Sequence, residues 1–279
     1  MILRAMLSTD LTLAGRGGAG SVVRSSGEPY DGPMYVKPDY ADEATVIERA
    51  GAAGLALECE GEPFVGGGGD YVDGGLESVQ ESAEEALGNY DENTAMPVSA
   101  DDFAVERTDG DRVLFSFDVD GETNVAAVAA NCVTDDNDDT GWGIEGWAQC
   151  DPAELPGSVA AQNGDQVWTD GEGNLVPVTE VTSFEGAEHC DWKETTFLTL
   201  GDYDGHAYLG NPTGYLERHL TTTYEPDGSL PDAATDTGYE HDGRSLWLGT
   251  EPKAAYLVST TDPDDVERWP WTTDEIWCA

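Results

Sequence analysis

The chain has 279 residues, and its 57 acidic and 12 basic side chains give a formal net charge of −45. So negative a field repels nucleic-acid phosphates and anionic membrane surfaces, which excludes both as partners. The 39% of hydrophobic residues still suffices for a packed core, while 34 glycines and 14 prolines indicate many turns and short strands. The length favours two domains of ordinary size.

Residues 1–27 differ in charge from the rest of the chain. Their charged residues are three arginines and one aspartate: Arg4, Arg16, Arg24 and Asp10. A secretory signal needs an uninterrupted apolar run of about 7–15 residues, but polar residues 8–10 interrupt the run here. We expect a disordered tail or a misassigned start. No stretch approaches the roughly 18 apolar residues of a membrane span.

Two helices are predicted after this tail. An alanine-rich stretch that begins with acids and weakens at two glycines predicts a helix over residues 42–53. Ser82 and Glu85 have the spacing of a capping box, which predicts a second helix to about Tyr90. Between them, the glycine run 66–69 predicts a flexible loop, and it lacks the Lys-Ser/Thr of a phosphate-binding loop.

From Phe103 the hydrophobic period changes to two, which is typical of strands facing a core on one side. Asp-Gly pairs at 109–110 and 120–121 mark tight hairpin turns. Together these signals predict a four-stranded antiparallel meander that ends at Cys150. Two helices followed by a meander make an α+β domain, which we place at residues 28–155.

The proline-containing stretch 151–158 is the expected domain boundary. Beyond it, short apolar runs alternate with turns, including Asp-Gly at 204–205 and 242–243. No helix of note is indicated. We expect residues 158–279 to form a mostly antiparallel β domain that closes near Cys278, so the whole chain belongs to the α+β class.

An acidic run provides one candidate metal site. Asp135, Asn137 and Asp139 occupy the first three ligand positions of an EF-hand calcium loop, but Thr140 and Gly146 stand where its glycine and glutamate are required. An irregular, weak calcium loop and a solvated hairpin tip therefore both remain interpretations of this segment.

No catalytic centre is visible. The chain has only four histidines, which limits general-base catalysis: His189, His206, His219 and His241. Neither Gly-x-Ser-x-Gly nor His-Glu-x-x-His occurs. His189 and Cys190 make a poor catalytic dyad, because neighbours on a strand face opposite ways. We predict no catalytic residue and no cofactor.

Tryptophans near the end of the chain offer a candidate ligand platform. Trp269 and Trp271 would share one face of an extended segment, with Trp277 close behind. Such indoles could stack on sugar rings, although tryptophan more often belongs to a core.

Five cysteines without a Cys-x-x-Cys pair favour disulfides over metal binding, and disulfides imply an exported protein. One thiol must be left over. Five choices of that thiol with three pairings each give fifteen arrangements, and position alone does not choose among them.

Several phrases together resemble a group of uncharacterised exported, lipoprotein-like proteins of actinobacteria, over residues 28–279. The phrases are Glu58–Pro63, Trp147–Leu155, Gly186–Trp192, Thr195–Leu198, Asp236–Tyr239, Ser245–Leu248, Ala254–Val258 and Val266–Pro270. The group implies no activity. It implies that Cys190 pairs with Cys278 and Cys59 with Cys150, with Cys132 as the odd thiol; the rival pair Cys132–Cys150 stays open.

The leading functional hypothesis is a non-catalytic extracellular or cell-envelope protein that binds an unknown partner: a glycan, a cation or an envelope component. The first alternative is an extracellular hydrolase with an unrecognised carboxylate site. The second is a cytoplasmic salt-adapted protein of a halophile, which the extreme charge and only three lysines would fit: Lys37, Lys193 and Lys253.

Overall fold

The computed structural model describes residues 29–41, 43–69, 78–93, 96–135, 138–162, 164–201 and 203–278. The predicted tail 1–27 and Asn137 of the predicted calcium loop lie outside these residues. The described chain is built mostly from antiparallel strands, with few helices.

Sheet A has five antiparallel strands in the order β1-β5-β4-β3-β2. Its strands are β1 Val65–Gly68, β2 Ala104–Asp109, β3 Arg112–Val119, β4 Glu122–Thr134 and β5 Thr140–Gln149. Strands β2 to β5 are the predicted meander. Asp120 and Gly121 connect β3 to β4 with φ angles of 54° and 95°, the positive values that a tight hairpin turn demands.

Within the described residues, four short α-helices accompany the sheets: α1 Val46–Ala50, α2 Ala52–Leu55, α3 Ala83–Asn93 and α4 Gly157–Gln162. The helix predicted over 42–53 is shorter and interrupted. It begins only after Thr45, whose side chain forms a capping box with Glu48, and it breaks at Gly51, where φ is +60°. Helix α3 begins where predicted, with the Ser82 hydroxyl accepting a hydrogen bond from the Glu85 amide at 3.1 Å.

The prediction of a flexible loop at glycines 66–69 is wrong. Residues 65–68 form β1, which pairs with β5 from Val65↔Gln149 to Gly68↔Gly146. The physical reason is close approach, because a Cβ added at Gly66 would lie 2.6 Å from the carbonyl oxygen of Trp147. At this position only glycine fits against β5.

Helices cover both faces of sheet A. On one face, Leu87 and Tyr90 of α3 pack against Phe115 and Ile144. On the other, the alanines of α2 pack against Leu114 and Val128 with the segment around Met34. Alternate residues of β3 and β4 supply the two cores, as the period-two pattern predicts.

Two further sheets form the rest of the described chain. Sheet B has the order β10-β9-β8-β6, and sheet C the order β14-β13-β12-β11-β7. The strands are β6 Asp165–Val167, β7 Thr169–Asp170, β8 Val181–Glu185, β9 Thr196–Leu200, β10 Tyr208–Gly210, β11 Thr235–His241, β12 Arg244–Thr250, β13 Lys253–Ser259 and β14 Val266–Pro270. Trp168, Leu198 and Leu246 lie in the core that the two sheets share.

The connections that the structure describes contain four 3₁₀ helices: Ala100–Asp102, Pro152–Glu154, Glu188–Cys190 and Leu216–His219. Within the described ranges, no helix is long and apolar enough to span a membrane.

The strands of sheet A all precede residue 150, and those of sheets B and C all follow residue 164. Helix α4 lies between them, where the sequence indicated no helix of note. The Asp151 carboxylate accepts a hydrogen bond from the Val178 amide at 3.0 Å, so the two parts also contact each other. The division into two domains stays a prediction.

Candidate functional site

The cysteines form two disulfides, Cys59–Cys150 and Cys190–Cys278, with Cα–Cα distances of 5.3 and 6.1 Å. These are the pairs that the resemblance implies, and the rival pair Cys132–Cys150 is absent. Cys132 is exposed and belongs to neither disulfide. Two disulfides fit a protein of an oxidising compartment.

The Cys59–Cys150 disulfide joins the segment after α2 to the end of β5. Around it, the backbone of Glu58 donates to the Thr123 carbonyl at 2.8 Å, and the Glu58 carboxylate accepts from the Thr123 amide at 3.0 Å. The disulfide and these hydrogen bonds hold three chain segments together at one end of sheet A.

A cleft of about 900 Å³ opens beside this disulfide. Its walls are four segments: residues 60–64 after Cys59, the turn between β3 and β4, the 3₁₀ helix Pro152–Glu154, and the loop 174–179 that precedes β8. The most numerous polar groups in these walls are six carboxylates: Glu60, Glu62, Asp120, Glu122, Asp151 and Glu154.

Two of the six carboxylates accept hydrogen bonds from the backbone of the cleft walls. Glu154 accepts hydrogen bonds from the amides of Glu60 at 2.8 Å and Gly61 at 3.3 Å, which fixes the first wall. Asp151 accepts from the amides of Ala153 and Val178, at 2.9 and 3.0 Å, which fixes the loop on the opposite side. Hydrogen bonds within the chain therefore fix the positions of two walls of the cleft.

The other four carboxylates make no side-chain hydrogen bond and no ion pair with any residue in the described ranges; they are Glu60, Glu62, Asp120 and Glu122. No lysine or arginine of the described chain lines the cleft. The described ion pairs all lie elsewhere, so the negative charge of the cleft is not compensated from within.

Apolar groups make up the remainder of the lining, mainly Phe64, Leu175 and Pro177. Leu175 is 56% exposed, although large aliphatic side chains usually lie in a core. Carboxylates beside an accessible apolar surface suit a ligand that carries positive charge on a hydrocarbon frame.

The predicted tryptophan platform is spread over different environments. Trp269 is 8% exposed and lies in the core between sheets B and C. The Trp271 ring is stacked on His206 with centroids 5.7 Å apart, and Nζ of Lys253 lies 3.1 Å from its centroid. Only Trp277, 60% exposed, presents an open indole. The three side chains therefore do not share one accessible surface.

The acidic run at the tip of the β4–β5 hairpin has an internal role. Asp135 is buried and its carboxylate accepts a hydrogen bond from the Asp139 amide at 3.0 Å. The calcium loop stays a prediction, since Asn137 lies outside the described residues. The solvated hairpin tip stays a prediction as well.

Three of the four histidines contact structural groups. His219 lies 2.8 Å from the Asp274 carboxylate, and this hydrogen bond is the main reason that the pKa of Asp274 is lowered. Nδ1 of His206 lies 3.2 Å from the Thr272 hydroxyl, and Nδ1 of His241 lies 3.1 Å from the Val167 carbonyl. The fourth, His189, lies beside a disulfide.

The cleft was not predicted from the sequence. Its carboxylates come from segments between 60 and 154 that share no motif, and its fourth wall lies beyond the expected domain boundary. The one local signal was Asp151 directly before Pro152, a pattern typical of a helix start.

Comparison with known family models, with curated proteins and with solved structures finds no match for this chain. The resemblance to exported actinobacterial proteins therefore stays a prediction.

Proposed function

We propose that the protein is a non-catalytic, exported or envelope-associated binding protein that takes an organic cation in the cleft beside Cys59–Cys150. The observation that carries this proposal is the set of six carboxylates in a cleft without a lysine or arginine. The ligand class is an alkyl ammonium, as in a polyamine or a lysine-rich peptide segment.

The location outside the cytoplasm is supported by the two disulfides, since such bonds persist in oxidising compartments. The resemblance to exported actinobacterial proteins points the same way. A two-domain arrangement agrees with this function, because ligand clefts often lie where two compact units meet.

The shape of the cleft favours an organic cation over a metal ion. A calcium ion needs six to eight oxygen ligands at about 2.3–2.6 Å around one point. Here the acids come from separate walls around a volume of about 900 Å³, which is the size of a cleft for a small organic ligand. Ammonium groups would pair with the carboxylates while the hydrocarbon lies on Leu175 and Phe64.

Isothermal titration calorimetry with spermidine tests the proposal. We expect wild-type protein to bind, and the double variant Glu62→Gln/Glu122→Gln to bind about tenfold more weakly, because two attractive charges are lost. Binding should also weaken with added salt. The matched control is Glu84→Gln/Asp101→Asn, which removes two exposed acids outside the cleft.

Three results would contradict the proposal: no heat of binding with spermidine, equal weakening in the control variant, or tighter binding of Ca²⁺ or a neutral oligosaccharide. The last result would return the glycan and metal hypotheses to first place.

A further inference from the structure

The two disulfides lie beside ionisable groups of opposite kind. Nε2 of His189 lies 3.1 Å from Sγ of Cys278, and this nitrogen and both sulfurs of Cys190–Cys278 lie within 4.8 Å of one another. At the other disulfide, a carboxylate oxygen of Glu154 lies within 4.8 Å of both sulfurs. An imidazole can supply positive charge to sulfur, whereas a carboxylate supplies negative charge.

Access to the two bonds also differs. At Cys59–Cys150, Cys59 is partly exposed and Cys150 has no exposed surface, whereas both sulfur-bearing residues of Cys190–Cys278 are partly exposed. His189 itself is exposed, at the 3₁₀ turn that contains Cys190. A thiol in solution can therefore approach Cys190–Cys278 more easily than the Cys59–Cys150 bond.

We propose that Cys190–Cys278 is a thiol–disulfide exchange site that reacts with small thiols and dithiols, with His189 as its catalytic residue. Cys59–Cys150 is the structural bond and resists the same reagents. This function is independent of ligand binding in the cleft.

The exchange begins when a thiolate of the reductant attacks Sγ of Cys190. A new bond forms between the reductant sulfur and Cys190, the Cys190–Cys278 bond breaks, and its electron pair goes to Sγ of Cys278. His189, with Nε2 3.1 Å from that sulfur, would stabilise the leaving thiolate in its imidazolium form, which accelerates exchange because better leaving thiols depart faster. With a dithiol, the second reductant thiolate then attacks the mixed disulfide and releases Cys190. The dithiol is oxidised to a disulfide, and the protein gains two electrons and two protons.

The carboxylate of Glu154 has the opposite effect at Cys59–Cys150. It repels an approaching thiolate and disfavours a departing one, as like charges do at short range. Its position is fixed, since both its oxygens accept backbone hydrogen bonds.

Reduction of Cys190–Cys278 would break the covalent link but leave the non-covalent contacts of the residues before Cys278 in place. The Tyr203 hydroxyl donates to the carbonyl of Ile276, and Ile276 is buried in the core beneath. The Thr273 amide donates to the His219 carbonyl at 2.7 Å. We therefore expect the fold to survive reduction of this bond.

The test is a timed reaction of the Cys132→Ser protein with dithiothreitol, stopped by alkylation and read by peptide mass spectrometry. We expect Cys190–Cys278 to be reduced at least about tenfold faster than Cys59–Cys150 in the same molecule. His189→Gln should slow its reduction several-fold, whereas His189→Lys, which carries a positive charge at this position, should not slow it. Glu154→Gln should accelerate reduction of Cys59–Cys150 alone.

Trapping with glutathione identifies the attacked sulfur. The proposal expects the mixed disulfide on Cys190, with Cys278 as a thiol. Equal rates for the two disulfides of the Cys132→Ser protein, an unchanged rate after the further change His189→Gln, or an adduct on Cys278 would each overturn it. The comparison of the two disulfides and the position of the adduct need no variant of His189, so misfolding of such a variant does not obscure the result.

Discussion

At the scale of single residues, Arg112 combines an ion pair with a cation–π contact. Its guanidinium donates two hydrogen bonds to the Glu145 carboxylate, both at 2.9 Å, and lies 4.8 Å from the ring centroid of Tyr35. The hydrogen bonds to Glu145 raise the pKa of Arg112 above its ordinary value. Glu145 is 8% exposed on β5, and its ion pair with Arg112 has an N–O distance of 2.9 Å.

Replacing Arg112 with methionine should lower the free energy of unfolding by about 2 kcal/mol, because Glu145 is left buried without a counter-charge. The double variant Arg112→Met/Glu145→Met should recover most of that loss. Urea denaturation followed by circular dichroism measures both. A single variant as stable as wild type would show that Glu145 does not need Arg112 as a counter-charge.

At the scale of elements, the edge formed by β1 and the residue after it requires glycine at particular positions. A Cβ added at Gly69, directly after β1, would lie 2.0 Å from the backbone oxygen of Ile144. At Gly67, on the same strand, an added Cβ meets no atom within 4 Å. A side chain therefore fits at Gly67 but not at Gly69, although the two positions are only two residues apart.

The variant Gly69→Ala should lose at least about 2 kcal/mol of unfolding free energy, since backbone must move to admit the methyl group. Gly67→Ala should stay within about 0.5 kcal/mol of wild type. Thermal unfolding of the pair provides the comparison. Equal stability of the two variants would mean that β1 does not lie against β5 as described.

The hairpins could be predicted because their signals are local. Asp120-Gly121 and Asp242-Gly243 both adopt the positive φ angles that Asp-Gly favours, and the strands on either side alternate in period two. The same local logic failed at β1, because glycine is a poor strand former. What makes it a strand is the nearness of β5, which follows in the chain some eighty residues later.

The candidate site could not be predicted for a related reason. Charge composition indicated an acidic surface, but 57 acids offer no way to choose six. Only the fold brings Glu62, Glu122 and Glu154 around one cleft. The contact between His189 and Cys278 could not be predicted either. In the sequence His189 is next to Cys190, whereas in the fold its ring contacts the sulfur of Cys278, which is 89 residues away in the chain.

At the scale of the whole molecule, the net charge of −45 opposes compactness. Only a few of the acids have a basic partner within the described ranges, so repulsion among the rest raises the free energy of the folded state. Dissolved ions screen such repulsion over distances of about 10 Å or more.

The melting temperature should therefore rise by about 5 °C or more when sodium chloride increases from roughly 0.02 M to 1 M. Differential scanning calorimetry at a constant pH measures this. Full folding at low salt would contradict the halophile hypothesis. A melting temperature that falls with salt would mean that attractive pairs outweigh the repulsion.

The length of β4 affects which cysteine can form a disulfide with Cys59. Cys150 donates its amide to Asn124 near the start of β4, while Cys132 lies eight residues further along, or about 25 Å at the rise of an extended strand. Cys132 precedes Cys150 in the chain, so under oxidising conditions a mispaired Cys59–Cys132 bond can form before Cys150 has been synthesised. Completed pairing of β4 with β5 is incompatible with that bond. Formation of the sheet therefore favours the native Cys59–Cys150 disulfide over the mispaired Cys59–Cys132 bond.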